Sequence, residues 1–205
     1  MKRFLVTTAL ALALAATASF AAAATVGQLA PAFAATDVNG KSVSLADFKG
    51  KHVVLEWTNP GCPFVVKHYG AGNMQATQQD ARAKGVVWLT INSTSTDAGD
   101  YKAPPALASW MASQKAAPSA TLMDADGKVG KAYGARTTPH MYVINPAGLL
   151  VYAGAIDSKA TSNPADIPGA TNYVKQALAE SLTGKPVSTS TTRAYGCSVK
   201  YSSGA

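Results

Sequence analysis

Two short apolar runs, His52 to Trp57 (HVVLEW) and Val86 to Ile91 (VVWLTI), constrain this chain more than any other feature. Each is rich in β-branched residues and too short for a helix, the pattern of a strand buried on both faces. The stretch between them, about Pro63 to Lys84, reads as helix. Two later runs, Met141 to Ile144 (MYVI) and Leu149 to Ala153 (LLVYA), flank the turn sequence Asn145-Pro146-Ala147-Gly148. Near the start, Phe33 to Val38 and Ser42 to Leu45 flank Asn39-Gly40, a hairpin signal. Further helices are expected at about Ala106 to Lys115 and Asn172 to Leu182, the last stopped by Gly184 and Pro186. Strands alternating with helices in this order predict an α/β domain: a central mixed sheet with helices on both faces.

The first 24 residues read as an address rather than as part of that domain. Lys2 and Arg3 precede an apolar run from Phe4 to Ala16, and the small residues Ala21 to Ala24 offer a cleavage site, so the mature chain should begin near Thr25. An uncleaved anchor is the competing reading, but the strongly apolar run is shorter than the roughly 20 residues of a span. Residues 25–185 then form one domain, and 186–205 a Ser/Thr-rich tail that carries Cys197, whose aromatic neighbours Tyr195 and Tyr201 favour docking on the domain. Export implies a secreted protein, periplasmic in a bacterium, in an oxidising compartment and without stable membrane insertion after cleavage. The formal charge of +7 falls to +5 without Lys2 and Arg3, and no basic run remains, which argues against nucleic acid as a partner.

The chain has two cysteines, Cys62 and Cys197, which excludes a disulfide-dense scaffold and a four-cysteine zinc site. His52, His68 and His140 are dispersed, so no metal site is expected. Cys62 follows HVVLEW by the loop Thr58-Asn59-Pro60-Gly61 and opens a helix with Pro63 in its first turn. Unpaired amides and the positive end of the helix dipole favour the thiolate there, as a redox nucleophile needs. The bland alternative is a structural cysteine, buried or bridged. Glu56, six residues earlier, stands among Val53, Val54, Leu55 and Trp57, a setting that predicts a buried carboxyl with a raised pKa. Leu107, Trp110 and Met111 read as core at helical spacing, His68 as a partly buried helix residue, and Asp124 to Gly127 as a turn.

Several stretches resemble one family. Gly27-Gln28-Leu29-Ala30-Pro31-Ala32-Phe33, Asn39-Gly40-Lys41 and Leu45-Ala46-Asp47-Phe48-Lys49-Gly50-Lys51 are similar to the opening of the redoxin group, the thioredoxin-fold proteins that include peroxiredoxins and exported thiol–disulfide oxidoreductases. Asp124-Ala125-Asp126-Gly127-Lys128-Val129, Tyr133-Gly134 and Thr138-Pro139 follow in the family's order, and the resemblance covers about residues 26–184. It implies a thioredoxin-like fold, with Cys62 as the attacking cysteine and Pro139 as a cis-proline facing it. Thr138 and His140 would then line the substrate site, and Glu56 would relay protons to a resolving thiol. No organic cofactor is implied, and the partners would be protein thiols or disulfides, or a small peroxide.

The departures narrow the chemistry. Val65 stands where a thioredoxin-type dithiol has its second cysteine, so a Cys-x-x-Cys cycle is impossible. Asn59 and Leu55 stand where a peroxiredoxin has threonine and proline, and Arg136 comes three residues before the position of that family's arginine. Asn59 could still donate a hydrogen bond to a peroxide. The leading expectation is thiol–disulfide exchange through Cys62, resolved by Cys197 across a flexible connector. The alternatives are a peroxiredoxin-like peroxidase, a domain that Cys62 and Cys197 merely staple, or a copper-binding chaperone using Cys62, Cys197 and His140.

Overall fold

The computed structural model describes residues 23–202. All but Ala23 and Ala24 of the expected targeting segment lies outside them. The apolar runs form the centre of a mixed sheet: β3 (Val53–Trp57) and β4 (Val87–Asn92) pair in parallel from Val53↔Val87 to Trp57↔Ile91. Every residue of both strands is buried. β7 (His140–Ile144) runs antiparallel to β3, and β8 (Leu150–Gly154) pairs with β7. On the other side, β5 (Ala120–Met123) adds parallel to β4, and the hairpin β1 (Ala34–Asp37) and β2 (Ser42–Ser44) completes the order β2-β1-β5-β4-β3-β7-β8.

Strand alternation divides the core between two faces. Val54 of β3 faces a cluster with α1 (Pro63–Gly70), α2 (Asn73–Ala83), α3 (Pro104–Ser113) and α5 (Tyr173–Leu182). Val53, Leu55 and Trp57 face a second cluster with Phe33, Leu122 and α4 (Lys128–Tyr133). Among the described residues, no helix is long and apolar enough to cross a membrane.

The structure differs from the sequence reading in three places. The single helix expected over Pro63 to Lys84 is two, because Gly72 adopts a left-handed φ of 72° that ends α1 and re-aims the chain into α2. β5 and α4 were not expected; they are four and six residues long and too short to show a period. The turn expected at Asp124 to Gly127 is present, and it leads directly into α4. The tail docks on the domain, as the aromatic neighbours of Cys197 favoured, but the connector expected to be flexible is anchored. Thr191 bridges to Ala153, the Ser95 amide donates to the Lys200 carbonyl at 2.7 Å, and Tyr201 Oη donates to the Ala135 carbonyl at 2.8 Å. Between these anchors, β9 (Cys197–Ser198) pairs antiparallel with β6 (Thr137–Thr138), laying the second cysteine beside the end of β7.

Candidate active site

Cys62 occupies the cap position of α1, with extended φ and ψ and with Pro63 behind it in the first turn. The preceding loop is braced from within: the Cys62 amide donates to the Asn59 carbonyl at 3.0 Å, and the Gly61 amide to Asn59 Oδ1 at 2.7 Å. Asn59 Nδ2 donates to Asp100 Oδ2 at 2.8 Å and to Thr94 Oγ1 at 3.2 Å. Both ends of that amide are therefore engaged in holding the loop, which leaves no free donor of the kind expected for a peroxide.

The Thr138–Pro139 bond is cis, as the resemblance implied, and the β6 backbone lies against the cysteine. Cys62 Sγ donates to the Thr138 carbonyl at 3.0 Å, while Thr138 Oγ1 is buried with no hydrogen-bond partner. Cys197 stands directly opposite Thr138 in the β6–β9 pairing, near enough to Cys62 for each thiol to shift the other's ionisation, and both cysteines are free. This approach needs glycine at 196: the residue has φ +132°, and a Cβ would overlap the Thr138 carbonyl oxygen and sit 2.8 Å from its carbonyl carbon.

The two thiols are electrostatically unequal. Burial alone would raise the Cys62 pKa, but Cys197, Thr138 and the amides of Val65 and Cys197 outweigh it and hold the thiol below its ordinary value. Cys197 is pushed up to about 11, by burial first and then by its contact with Cys62. Cys62 thus ionises first, and the neighbouring thiol favours its thiolate. Their exposure is unequal in the opposite sense. Cys62 is 2% exposed beneath β9, whereas Cys197 is half-buried.

Glu56 is fully buried, as its apolar neighbours predicted, on the same sheet face as Cys62. Tyr69 Oη donates to its Oε1 at 2.8 Å, and Oε2 accepts from Trp88 Nε1 at 2.7 Å, Gln78 Nε2 at 3.0 Å and Thr90 Oγ1 at 3.1 Å. Burial raises its pKa despite these donors. The carboxyl ties α1 and α2 to β4, and none of its hydrogen bonds reaches either cysteine.

His140 is not beside the cysteines, although it follows Pro139 in the chain. Strand alternation turns it to the opposite sheet face, where its ring packs 4.5 Å from that of Tyr142 and Nδ1 accepts from the Arg136 amide at 3.3 Å. Burial, with the Arg136 charge, pushes its pKa down to about 4. It therefore lines neither the substrate site nor a copper site with Cys62 and Cys197. Among the described residues, no cluster of three metal-ligating side chains occurs. His68 is more deeply placed than expected, fully buried behind Cys62 with Lys67, Asp157 and Tyr195. The aromatic neighbours of Cys197 signalled that the tail docks, but nothing in the sequence pointed to Asp157.

The family model for AhpC/TSA proteins matches residues 26–153. Thiol-disulfide oxidoreductase ResA of Bacillus thuringiensis is 27% identical over 134 residues, 62% of this chain and 67% of that protein. Two solved structures superpose over most of the chain. A hypothetical protein of Sinorhizobium meliloti has TM-score 0.75 and 26% identity, covering 89% of this chain and 98% of that one. An uncharacterized conserved protein of Geobacillus kaustophilus has TM-score 0.76 and 29% identity, covering 88% and 94%. The thioredoxin domain of a thiol-disulfide oxidoreductase from Bacteroides vulgatus, at 24% identity and TM-score 0.51 over 71% of this chain and 96% of that one, shares the fold. The matched segment spans the sheet from β1 to β8 together with the Cys62 elbow and the cis-proline strand, and on it the chain belongs to the AhpC/TSA family, a redoxin of thioredoxin-like fold.

Proposed function

We propose that the mature chain is an exported thiol–disulfide oxidoreductase in which Cys62 and Cys197 cycle between dithiol and disulfide. One observation carries this reading: the β6–β9 pairing sets Cys197 opposite Thr138, whose carbonyl accepts the Cys62 thiol. The name of the Bacillus relative, a thiol-disulfide oxidoreductase, supports the same chemistry. Substrates are thiols and disulfides of other proteins, and the place of action is outside the cytoplasm, in the periplasm of a bacterium. The peroxidase alternative has less support, because the Asn59 amide is committed to Asp100 and Thr94.

The unequal exposure of the two thiols supports one order of events. In the oxidised protein, an incoming thiolate attacks the half-buried Cys197 sulfur, forming a mixed disulfide there. The Cys62–Cys197 bond breaks, and its electron pair leaves on Cys62. Cys62 is the better leaving group, since the thiol of lower pKa departs faster. A second external thiolate attacks the partner's sulfur, releasing the external pair as a disulfide and Cys197 as a thiolate, which takes up a proton. Two electrons thus pass from two external thiols to the protein's disulfide, and the reverse sequence reduces an external disulfide. Cys197 is the entry sulfur and Cys62 the inner one, the opposite order to the one that the resemblance implied.

Alkylation with iodoacetamide as a function of pH tests the assignment. In a Cys197→Ser variant, whose hydroxyl can still donate to the Cys62 sulfur, the Cys62 rate should titrate below the free-thiol value of about 8.5. In Cys62→Ser, Cys197 should titrate above it. A Cys62 profile at or above the free-thiol value would remove the stabilised leaving group and, with it, the mechanism.

A further inference from the structure

A group of polar side chains behind Cys62, three of them buried, takes no part in the exchange just described. Lys67 and His68 lie on α1, five and six residues after Cys62, and neither side chain is exposed. Asp157, from the segment after β8, faces both: its Oδ2 is 3.8 Å from Lys67 Nζ and 3.9 Å from His68 Nε2. The fourth member, Tyr195, comes from the tail, two residues before Cys197. Its hydroxyl donates to Asp157 Oδ1 and lies 3.2 Å from His68 Nε2.

The protons in this group can be placed. Asn73 Nδ2 donates to His68 Nδ1 at 2.8 Å, so a neutral imidazole carries its proton on Nε2. Burial holds His68 neutral, with its pKa down to about 4. The chain therefore runs from Asn73 to His68, from His68 Nε2 to the Tyr195 oxygen, and from the Tyr195 hydroxyl to the Asp157 carboxylate. Lys67 Nζ donates to the Lys159 carbonyl at 2.9 Å, and the Lys159 amide donates to Asp157 Oδ1 at 2.9 Å. The Tyr195 ring packs 5.8 Å from that of Phe64, with Lys67 Nζ 5.7 Å from its own centroid.

This is more polar machinery than fastening a surface segment requires. Elsewhere the tail is held by ordinary contacts, such as Thr192 Oγ1 with Tyr152 Oη at 2.6 Å and with the Ala155 amide at 2.9 Å. Buried polar and ionic groups add little net stability against an apolar alternative, and their best-attested use is to fix register. Register matters here, because an antiparallel strand shifted by one residue presents the opposite side chains. A slip of β9 would turn Cys197 away from Cys62 and bring Gly196 or Ser198 in its place.

We propose that Tyr195 is a positioning residue for thiol–disulfide exchange: clasped between Asp157 and His68 of the helix that carries Cys62, its hydroxyl sets the register in which Cys197 meets Cys62. The inference rests on the exchange reading above. It links the two halves of the pair mechanically, since α1 presents Cys62 at one end and grips the Cys197 segment through His68 further along.

Tyr195→Phe removes the hydroxyl and keeps the ring packed on Phe64 and Lys67. Wild type and variant are each equilibrated with glutathione buffers, and the Cys62–Cys197 disulfide is quantified by mass spectrometry of acid-quenched samples. The equilibrium constant for the disulfide should fall about 10-fold in Tyr195→Phe, raising the reduction potential by about 30 mV. Thr192→Val, which loosens the tail away from the cysteines, serves as the comparison. It should lower the melting temperature and leave the potential unchanged. An unchanged potential in Tyr195→Phe, whatever its melting temperature, or an equal shift in Thr192→Val, would overturn the positioning role while leaving exchange intact. A wild-type protein that takes up no Cys62–Cys197 disulfide would overturn the exchange reading and this inference together.

Discussion

Replacing Gly196 with alanine should separate the two cysteines while leaving the domain folded. The residue sits at φ +132°, a conformation that side chains rarely adopt, and its added Cβ would overlap the Thr138 carbonyl. That carbonyl belongs to β6 beside the cis-proline and cannot retreat without disturbing β7, which is hydrogen-bonded into the sheet centre. The element free to give way is β9, a two-residue strand paired only with β6 among the described residues. Once β9 lifts, Cys197 changes from an oriented neighbour of Cys62 to a merely tethered one. The loss of orientation should lower the equilibrium constant for the Cys62–Cys197 disulfide by roughly 100-fold, equivalent to about 60 mV in potential. Cys62 should at the same time become more accessible and alkylate faster. Quantification of the disulfide in glutathione buffers, with circular dichroism to confirm the fold, checks both outcomes. A Gly196→Ala variant that forms the disulfide as readily as the wild type would show that the register of β9 has no bearing on the pair.

Glu56→Ala should be the most destabilising single change near the site. The fully buried carboxyl accepts from Tyr69, Gln78, Trp88 and Thr90, so its loss strands donors from two helices and a strand in the interior. A buried donor left unpaired costs about 1–3 kcal/mol. Gln78 keeps a second bond to Tyr69 Oη at 3.1 Å, and relief of the carboxyl's own desolvation offsets part of the loss. A net cost of about 3–5 kcal/mol is expected, since several unpaired donors at about 1–3 kcal/mol each outweigh that relief. The pH dependence identifies the residue. Because the Glu56 pKa is raised on folding, the native state binds this proton more tightly than the unfolded chain does. Its contribution is full below the unfolded pKa and is lost as pH rises through the folded one. Glu56→Gln should remove that slope, which urea titrations of both proteins as a function of pH would measure. A cost below about 1 kcal/mol for Glu56→Ala would mean that the four donors find other partners.

What the sequence disclosed and what it concealed follow from the range of the interactions involved. The place of Cys62 was legible because it is local: an apolar strand ends, four loop residues follow, and a proline opens a helix. Burial of Glu56 was legible because its strand is apolar at every other position. The break at Gly72 was not, since glycine is tolerated inside helical patterns and its positive φ leaves no mark on periodicity. His140 was misplaced because nearness along a strand is not nearness on a face: its neighbour Met141 packs in the cluster that holds Cys62, and its own ring stacks with Tyr142 on the other side. Docking of the tail was hinted at by Tyr195 and Tyr201 around Cys197, but its strand partner, Thr137–Thr138, is too short to announce itself. Asp157 gave no signal, because its partners Lys67, His68 and Tyr195 lie far from it in the chain.

Whether Cys62 and Cys197 form a redox pair that opens and closes is decided by equilibrating the mature protein against glutathione buffers spanning reducing to oxidising ratios. Peptide mapping by mass spectrometry after acid quenching reports the fraction bridged at each ratio. The pair should titrate reversibly within the range of the buffers, with a reduction potential above about −300 mV, the region of labile and catalytic disulfides. Cys62 and Cys197 joined at every ratio, with a potential below that value and a large fall in melting temperature on forced reduction, would contradict a redox pair and leave a structural staple.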